Sequence, residues 1–217
     1  MVKQAFIDLE TTGVDPMKNG IYWIGGIIRY KDVYEEFELK CDLYQEDEVN
    51  PEAFENAKIK PEEIASFPDP YETYKKLTEI LSKHIDKYKK DDKFFFTNFG
   101  AEFDSKFLRR WFESNGDNYY GSWFWHPPIE VQSLAMEYLK NERAGMKNFK
   151  LSTVATQCLI AVDEDKTHTP LYDAKLAMQI YDLCSSSSVI KKANDEAQEI
   201  SRQGVYHLKQ GERRKRA

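Results

Sequence analysis

The sequence predicts an α/β fold, a sheet with helices on both faces, on three observations. Residues 2–10, 21–30 and 33–41 are apolar-rich runs with strand character, and the last two are separated only by Lys31-Asp32, which makes them an antiparallel hairpin. Beyond residue 70 the apolar spacing turns helical, then extended, then helical again. The chain has 217 residues, 41% hydrophobic and 14% aromatic, enough to cover both faces of a sheet.

The elements follow in order. Residues 33–41 alternate well, with Val33, Glu35, Phe37, Leu39 and Cys41 on one face. A helix is predicted over 71–90, its stripe formed by Tyr74, Leu77, Ile80, Leu81 and Ile85. A short apolar strand over 93–98 precedes a helix over 102–114. Helices are also predicted over 130–141, over 152–159 with Ser152 as its cap, and over 170–184. The aromatic segment 118–128 reads as core, and Ser185 to Ser188 as a linker. Residues 189–203 read as a polar helix and 208–217 as a frayed basic end, so 1–184 is expected as one domain and 185–217 as its extension.

Composition narrows the function. Ten Gly and eight Pro exclude collagen-like and low-complexity classes. No apolar run reaches the roughly 18 residues of a membrane span. The opening residues lack a charged-then-apolar leader. Cys41, Cys158 and Cys184 are too scattered for a disulfide framework or a zinc site, so a cytoplasmic location is expected. From Val189 onward eight basic and four acidic residues leave a balance of +4, against −10 for the rest of a chain whose net charge is −6. A body this acidic does not bind phosphates through bulk charge, so a nucleic-acid substrate would need metal ions to hold it.

Three segments carry carboxylates where a core is expected. In FIDLETTG, Asp8 and Glu10 stand two apart on a strand and so share a face, with Phe6, Ile7 and Leu9 marking that strand as buried. Two such carboxylates repel each other and lose hydration unless a divalent cation neutralises them. Gly13 ends this strand in a tight turn beside Thr11 and Thr12. In NFGAEFDSKFLRRWF, Asp104 shares a helix face with Leu108 and Trp111. In THTPLYDAKLAMQIYDL, Thr169 caps a helix whose first residue is Pro170, so His168 and Asp173 occupy the two positions that approach each other at a helix start. Each feature alone has an ordinary structural explanation. Four acids and one His at the ends of buried elements together make a hard oxygen site suited to Mg²⁺ or Mn²⁺.

These residues resemble the DEDDh branch of the DnaQ-like 3′→5′ exonucleases. The likeness rests on Asp8-x-Glu10 within FIDLETTG, Asp104 within NFGAEFD, and His168 five residues before Asp173. It extends to IYWIGGIIRY, NPEAFENAKIKPEEI and FKLSTVATQCLI. The sequence departs from the family pattern at Trp23, at Lys60-Pro61, at Glu130 and at Pro170, none of them a metal ligand. The resemblance implies a ribonuclease-H-like fold, a mixed five-stranded sheet whose first three strands are antiparallel, flanked by helices. It implies hydrolysis of phosphodiester bonds from the 3′ end, releasing nucleoside 5′-monophosphates. Asp8, Glu10, Asp104 and Asp173 would hold two Mg²⁺, with Mn²⁺ able to substitute, and His168 would be the general base. Leu9, Thr11, Thr12 and Asn98 would bind substrate. Single-stranded DNA is favoured over RNA 3′ ends, and a polymerase or clamp could meet the C-terminal extension. A non-catalytic binding module on the same fold is disfavoured, because all five site groups are present.

Overall fold

The computed structural model describes residues 2–55 and 57–186. Met1–Tyr181 form one compact unit and Asp182–Ala217 a second. The polar helix and basic end expected over 189–217 lie outside the described residues.

Five strands form one sheet in the order β3-β2-β1-β4-β5. They are β1 (Lys3–Thr11), β2 (Ile21–Tyr30), β3 (Val33–Lys40), β4 (Phe94–Asn98) and β5 (Ile129–Glu130). The first three are antiparallel, and β4 runs parallel to both β1 and β5. This is the mixed ribonuclease-H-like sheet that the resemblance implied. Of these five strands, β5 alone was not expected from the sequence. Two residues carry no period, and Glu130, expected to start a helix, instead ends this strand.

Among the described residues, six α-helices accompany the sheet: α1 (Pro61–Ile64), α2 (Pro70–Ser82), α3 (Ala101–Ser114), α4 (Val131–Tyr138), α5 (Leu151–Gln157) and α6 (Pro170–Ser186). Strand periodicity sorts the side chains of β1. Ala5, Ile7 and Leu9 enter the main core with Leu77 and Leu81 of α2 and Phe107, Leu108 and Phe112 of α3. Phe6 points the other way and packs with Ile27 and Ala174 under α6. Tyr120, Trp123 and Phe124 join the main core, so the aromatic segment is core as expected.

No helix was expected over Pro61–Ile64, and three other helices differ from expectation. The periodicity over 71–90 continues past the true helix end at Ser82. Local carboxylates offer that segment other partners: Asp92 accepts the Asp86 N–H at 3.0 Å, and Asp86 accepts the Tyr88 N–H at 3.1 Å. Lys3 then ties down both the His84 carbonyl and Asp92, each at 2.5 Å. Ile85 stays buried without being helical. The helix expected over 130–141 is shorter at both ends: Glu130 caps it, accepting the Gln132 N–H, and it stops at Tyr138 with Leu139 as its C-cap. Ser152 does not cap α5. No side chain caps it, and Asn148 holds the approach to the helix by accepting the Lys150 N–H at 3.0 Å and the Thr153 hydroxyl at 2.7 Å. Among the described residues no helix is long and apolar enough to cross a membrane.

Candidate active site

The period of two that sends Ile7 and Leu9 into the core sends Asp8 and Glu10 to the α6 face. There α6 descends unusually close to the sheet. Asp8 lies opposite Gly25 of β2, and a Cβ on Gly25 would stand 2.2 Å from the Leu171 amide nitrogen. Only glycine lets the first turn of α6, which carries Asp173, rest there. Beside Glu10 the ladder slips: Glu10 pairs with Trp23 but Thr11 with Ile21, leaving Tyr22 as the bulged residue. Tyr22 stacks on Phe54 at 5.3 Å and packs with Ile59 and Ile64, seating the 50–64 segment against the end of the sheet.

Asp104 arrives from the opposite side, in the first turn of α3. The Asn98 amide nitrogen, at the end of β4, donates to Asp8 at 2.8 Å and to Asp104 at 2.7 Å, so one side chain spans two acids. Glu130 fixes the start of α3: it accepts the N–H of Gly100, a residue at φ +93°, at 2.8 Å. The role of Glu130 was not visible in the sequence, where it reads as one more helix residue.

His168 completes the cluster. Its backbone lies in the left-handed region at φ 61°, uncommon for a non-glycine residue and characteristic of sites where geometry is imposed. Its N–H donates to Asp173 at 3.2 Å. Ligand atoms of Glu10, His168 and Asp173 all lie within 4.8 Å of one another. The five predicted groups thus fall into two linked sets, Asp8 with Asp104 through Asn98 and Glu10 with His168 and Asp173, joined along β1 by Asp8 and Glu10. Asp104 is buried, Asp8, Glu10 and Asp173 are half-buried, and His168 is exposed, as at the wall and mouth of a cleft.

The neighbouring residues divide. Thr12 is fully buried, its hydroxyl donating to the Glu48 carbonyl and accepting from the Gly20 N–H. The Thr11 hydroxyl donates to the Gly13 carbonyl. The Leu9 side chain sits in the core, while its backbone N–H favours the charged form of Asp104.

Electrostatics set this cluster apart. Burial, then repulsion from Asp104, Asp173 and Glu10, raises the Asp8 carboxyl well above the usual range. Burial, with Asp173 and Asp104, pushes Glu10 to about 8, against a lowering contribution from the Tyr22 hydroxyl. Burial pushes Asp104 to about 8 and Asp173 to about 6. Partial desolvation of the otherwise exposed His168 ring, and then the Lys58 and Lys150 cations, move its pKa down, which favours the neutral imidazole. Among the described residues no Lys or Arg pairs with any of the four carboxylates. A concentration of oxygen donors without a protein cation is the donor set that fits hard divalent cations such as Mg²⁺.

An exonuclease family model, RNase_T, matches residues 5–181. The chain belongs to the RNase_T exonuclease family. This exonuclease domain has the fold of the DnaQ-like, ribonuclease-H-like enzymes. It is similar to E. coli exonuclease I in complex with a dT13 oligonucleotide, at 15% identity and TM-score 0.69, over 90% of this chain and 43% of that one. The zinc-bound E. coli exonuclease I complex with single-stranded DNA gives 14% and 0.65, over 86% of this chain and 41% of that one. The dA16 complex of the same E. coli enzyme gives 15% and 0.66, over 84% and 40%. The family member thus spans about two fifths of those exonuclease I chains, and at such identities the likeness is one of fold. No curated protein matches the chain in sequence.

Proposed function

We propose that the chain is a divalent-cation-dependent 3′→5′ exonuclease that releases nucleoside 5′-monophosphates from single-stranded DNA or unpaired 3′ ends. The observation that carries this reading is the convergence of Asp8, Glu10, Asp104, Asp173 and His168, which come from three distant parts of the sequence. Asp8, Glu10, Asp104 and Asp173 would hold two Mg²⁺, with Mn²⁺ as a substitute. When bound, such a pair of cations lowers the pKa of a water and stabilises charge on the departing 3′ oxygen.

The protein's own groups do the rest. His168, neutral and at the cleft mouth, accepts the proton of the attacking water. The His168 N–H to Asp173 bond keeps the ring beside Glu10. Asn98 holds Asp8 and Asp104 in register, so it positions carboxylates more than it touches substrate. The end of β1, Leu9 to Thr12, borders the terminal nucleotide, and the Thr12 hydroxyl braces that loop from within. Single-stranded DNA is preferred because the exonuclease I structures of like fold carry DNA oligonucleotides. Residues 1–184 form the nuclease domain in this reading, and 185–217 the segment that would reach a polymerase or clamp.

Purified protein with Mg²⁺ is expected to shorten 5′-labelled single-stranded DNA stepwise, and EDTA to stop it. Matched DNA and RNA strands in one assay set the sugar preference. Cleavage that persists after both Asp8→Ala and Asp173→Ala would overturn the reading.

A further inference from the structure

A cavity of about 650 Å³ is lined by α3, by Phe96 of β4, and by residues 120–133. Its size falls within the range of small-molecule sites. Two kinds of residue line it. Phe96, Tyr120, Trp125, Pro127 and Pro128 give it apolar walls. Lys106 and Arg109 give it cationic groups and His126 an imidazole, and none of the five residues around Asp8 contributes to it.

One charged group in this cavity lacks the partner that folding alone would supply. Arg109 is exposed, its guanidinium 4.6 Å from the centre of the Tyr120 ring, and it pairs with no carboxylate among the described residues. The acids nearby are already engaged: Glu102 pairs with Lys106 at 2.6 Å, and Glu130 accepts backbone N–H groups at the starts of α3 and α4. An uncommitted cation beside a cavity with apolar, largely aromatic walls calls for an anion joined to an aromatic ring.

We propose that this cavity is a second nucleotide site, distinct from the carboxylate cluster. It holds one nucleoside 5′-phosphate unit, with the phosphate on Arg109 and the base between the apolar walls. The choice of a nucleotide among flat anions rests on the exonuclease reading. The same chemistry has two sources, a free mononucleotide or one nucleotide of a bound strand.

The test is binding to the full chain in EDTA, where the carboxylate cluster holds no cation. dTMP titrated by calorimetry is expected to bind at one saturable site. Arg109→Ala should weaken it at least about tenfold, since a charge-assisted contact is lost. Ser133→Trp, which fills the cavity from α4, should abolish it while leaving the thermal transition in place. Phenyl phosphate should bind at least about tenfold more weakly than dTMP. No dTMP binding in EDTA, binding indifferent to both substitutions, or equal affinity for phenyl phosphate would overturn the proposal. A dT13 strand distinguishes the sources: its affinity in EDTA falls with Arg109→Ala if the strand occupies the cavity and is unchanged if only the free nucleotide does. Failure of the exonuclease reading shows separately, as Mg²⁺-dependent cleavage that survives Asp8→Ala.

Discussion

The two faces of β1 are built from alternate residues of one nine-residue strand and obey opposite rules. On the α2 and α3 face, Ala5, Ile7 and Leu9 vanish into a dry aromatic and aliphatic core. On the α6 face, Phe6 packs in the same way, but Asp8 and Glu10 then put two carboxylates where two more converge. The first face stabilises the fold, whereas the second costs stability in the metal-free chain, because like charges share a poorly hydrated cleft. A strand can thus carry folding and chemistry side by side when its period of two separates them, and substitutions one residue apart should have unlike consequences.

The largest expected effect is on catalysis. Asp8→Ala or Asp173→Ala should lower the cleavage rate by about 10³-fold or more, measured on labelled single-stranded DNA with Mg²⁺. The same metal-free variants should melt higher than the parent. Relief of about 1 kcal/mol corresponds to about 2–4 °C in a chain of this size. A drop in melting temperature for both would break the contrast between the two faces.

Ile7→Ala, one position away, is expected to do the reverse. Deleting a fully buried aliphatic side chain should cost about 2–5 kcal/mol of stability, read by urea denaturation. The rate per folded molecule should change little.

Gly25→Ala tests how the second face was assembled. Its Cβ would press on the backbone at Pro170 and Leu171, at 2.5 and 2.2 Å. Moving the first turn of α6 displaces Asp173 and His168 together. A shift of about 1 Å at a catalytic group can cost about 10²-fold in rate. We therefore expect kcat to fall much further than the melting temperature, and equal loss of both would count against close approach of α6 as a device of the site.

The smallest effect is on the pH dependence of stability. Unfolded carboxylates release protons near pH ~4, whereas in the metal-free fold Glu10 and Asp104 keep theirs to about 8 and Asp173 to about 6. The folded chain therefore binds more protons over that interval, so this cluster's contribution to stability falls as the pH rises through it. In EDTA the melting temperature should decline more steeply for the parent than for Glu10→Gln between pH 5 and pH 8. Mg²⁺ should restore more stability at the upper pH than at the lower.

Much of this was legible in the chain. The hairpin, the central strand, α3 and α6 announced themselves through apolar period, and Asp8, Glu10, Asp104, His168 and Asp173 through charge set into apolar surroundings. What stayed hidden depends on partners remote in sequence. The periodicity past Ser82 gave no sign that Lys3, some eighty residues away, would tie down His84 and Asp92. Glu130 looked like a helix residue until Gly100 gave it an N–H to accept. The two-residue β5 exists only because β4 offers it an edge.

Local period and hydropathy already settle which residues face inward and which of those are charged, because side-chain direction follows from the first and burial from the second. That these charges meet follows from packing between elements remote in the chain. The missing side chain at Gly25 lets α6 settle on the sheet, and the two hydrogen bonds of Asn98 draw β1 and α3 together. Local rules fix the orientation of a side chain along its own element, but the distance between elements is set by what packs between them.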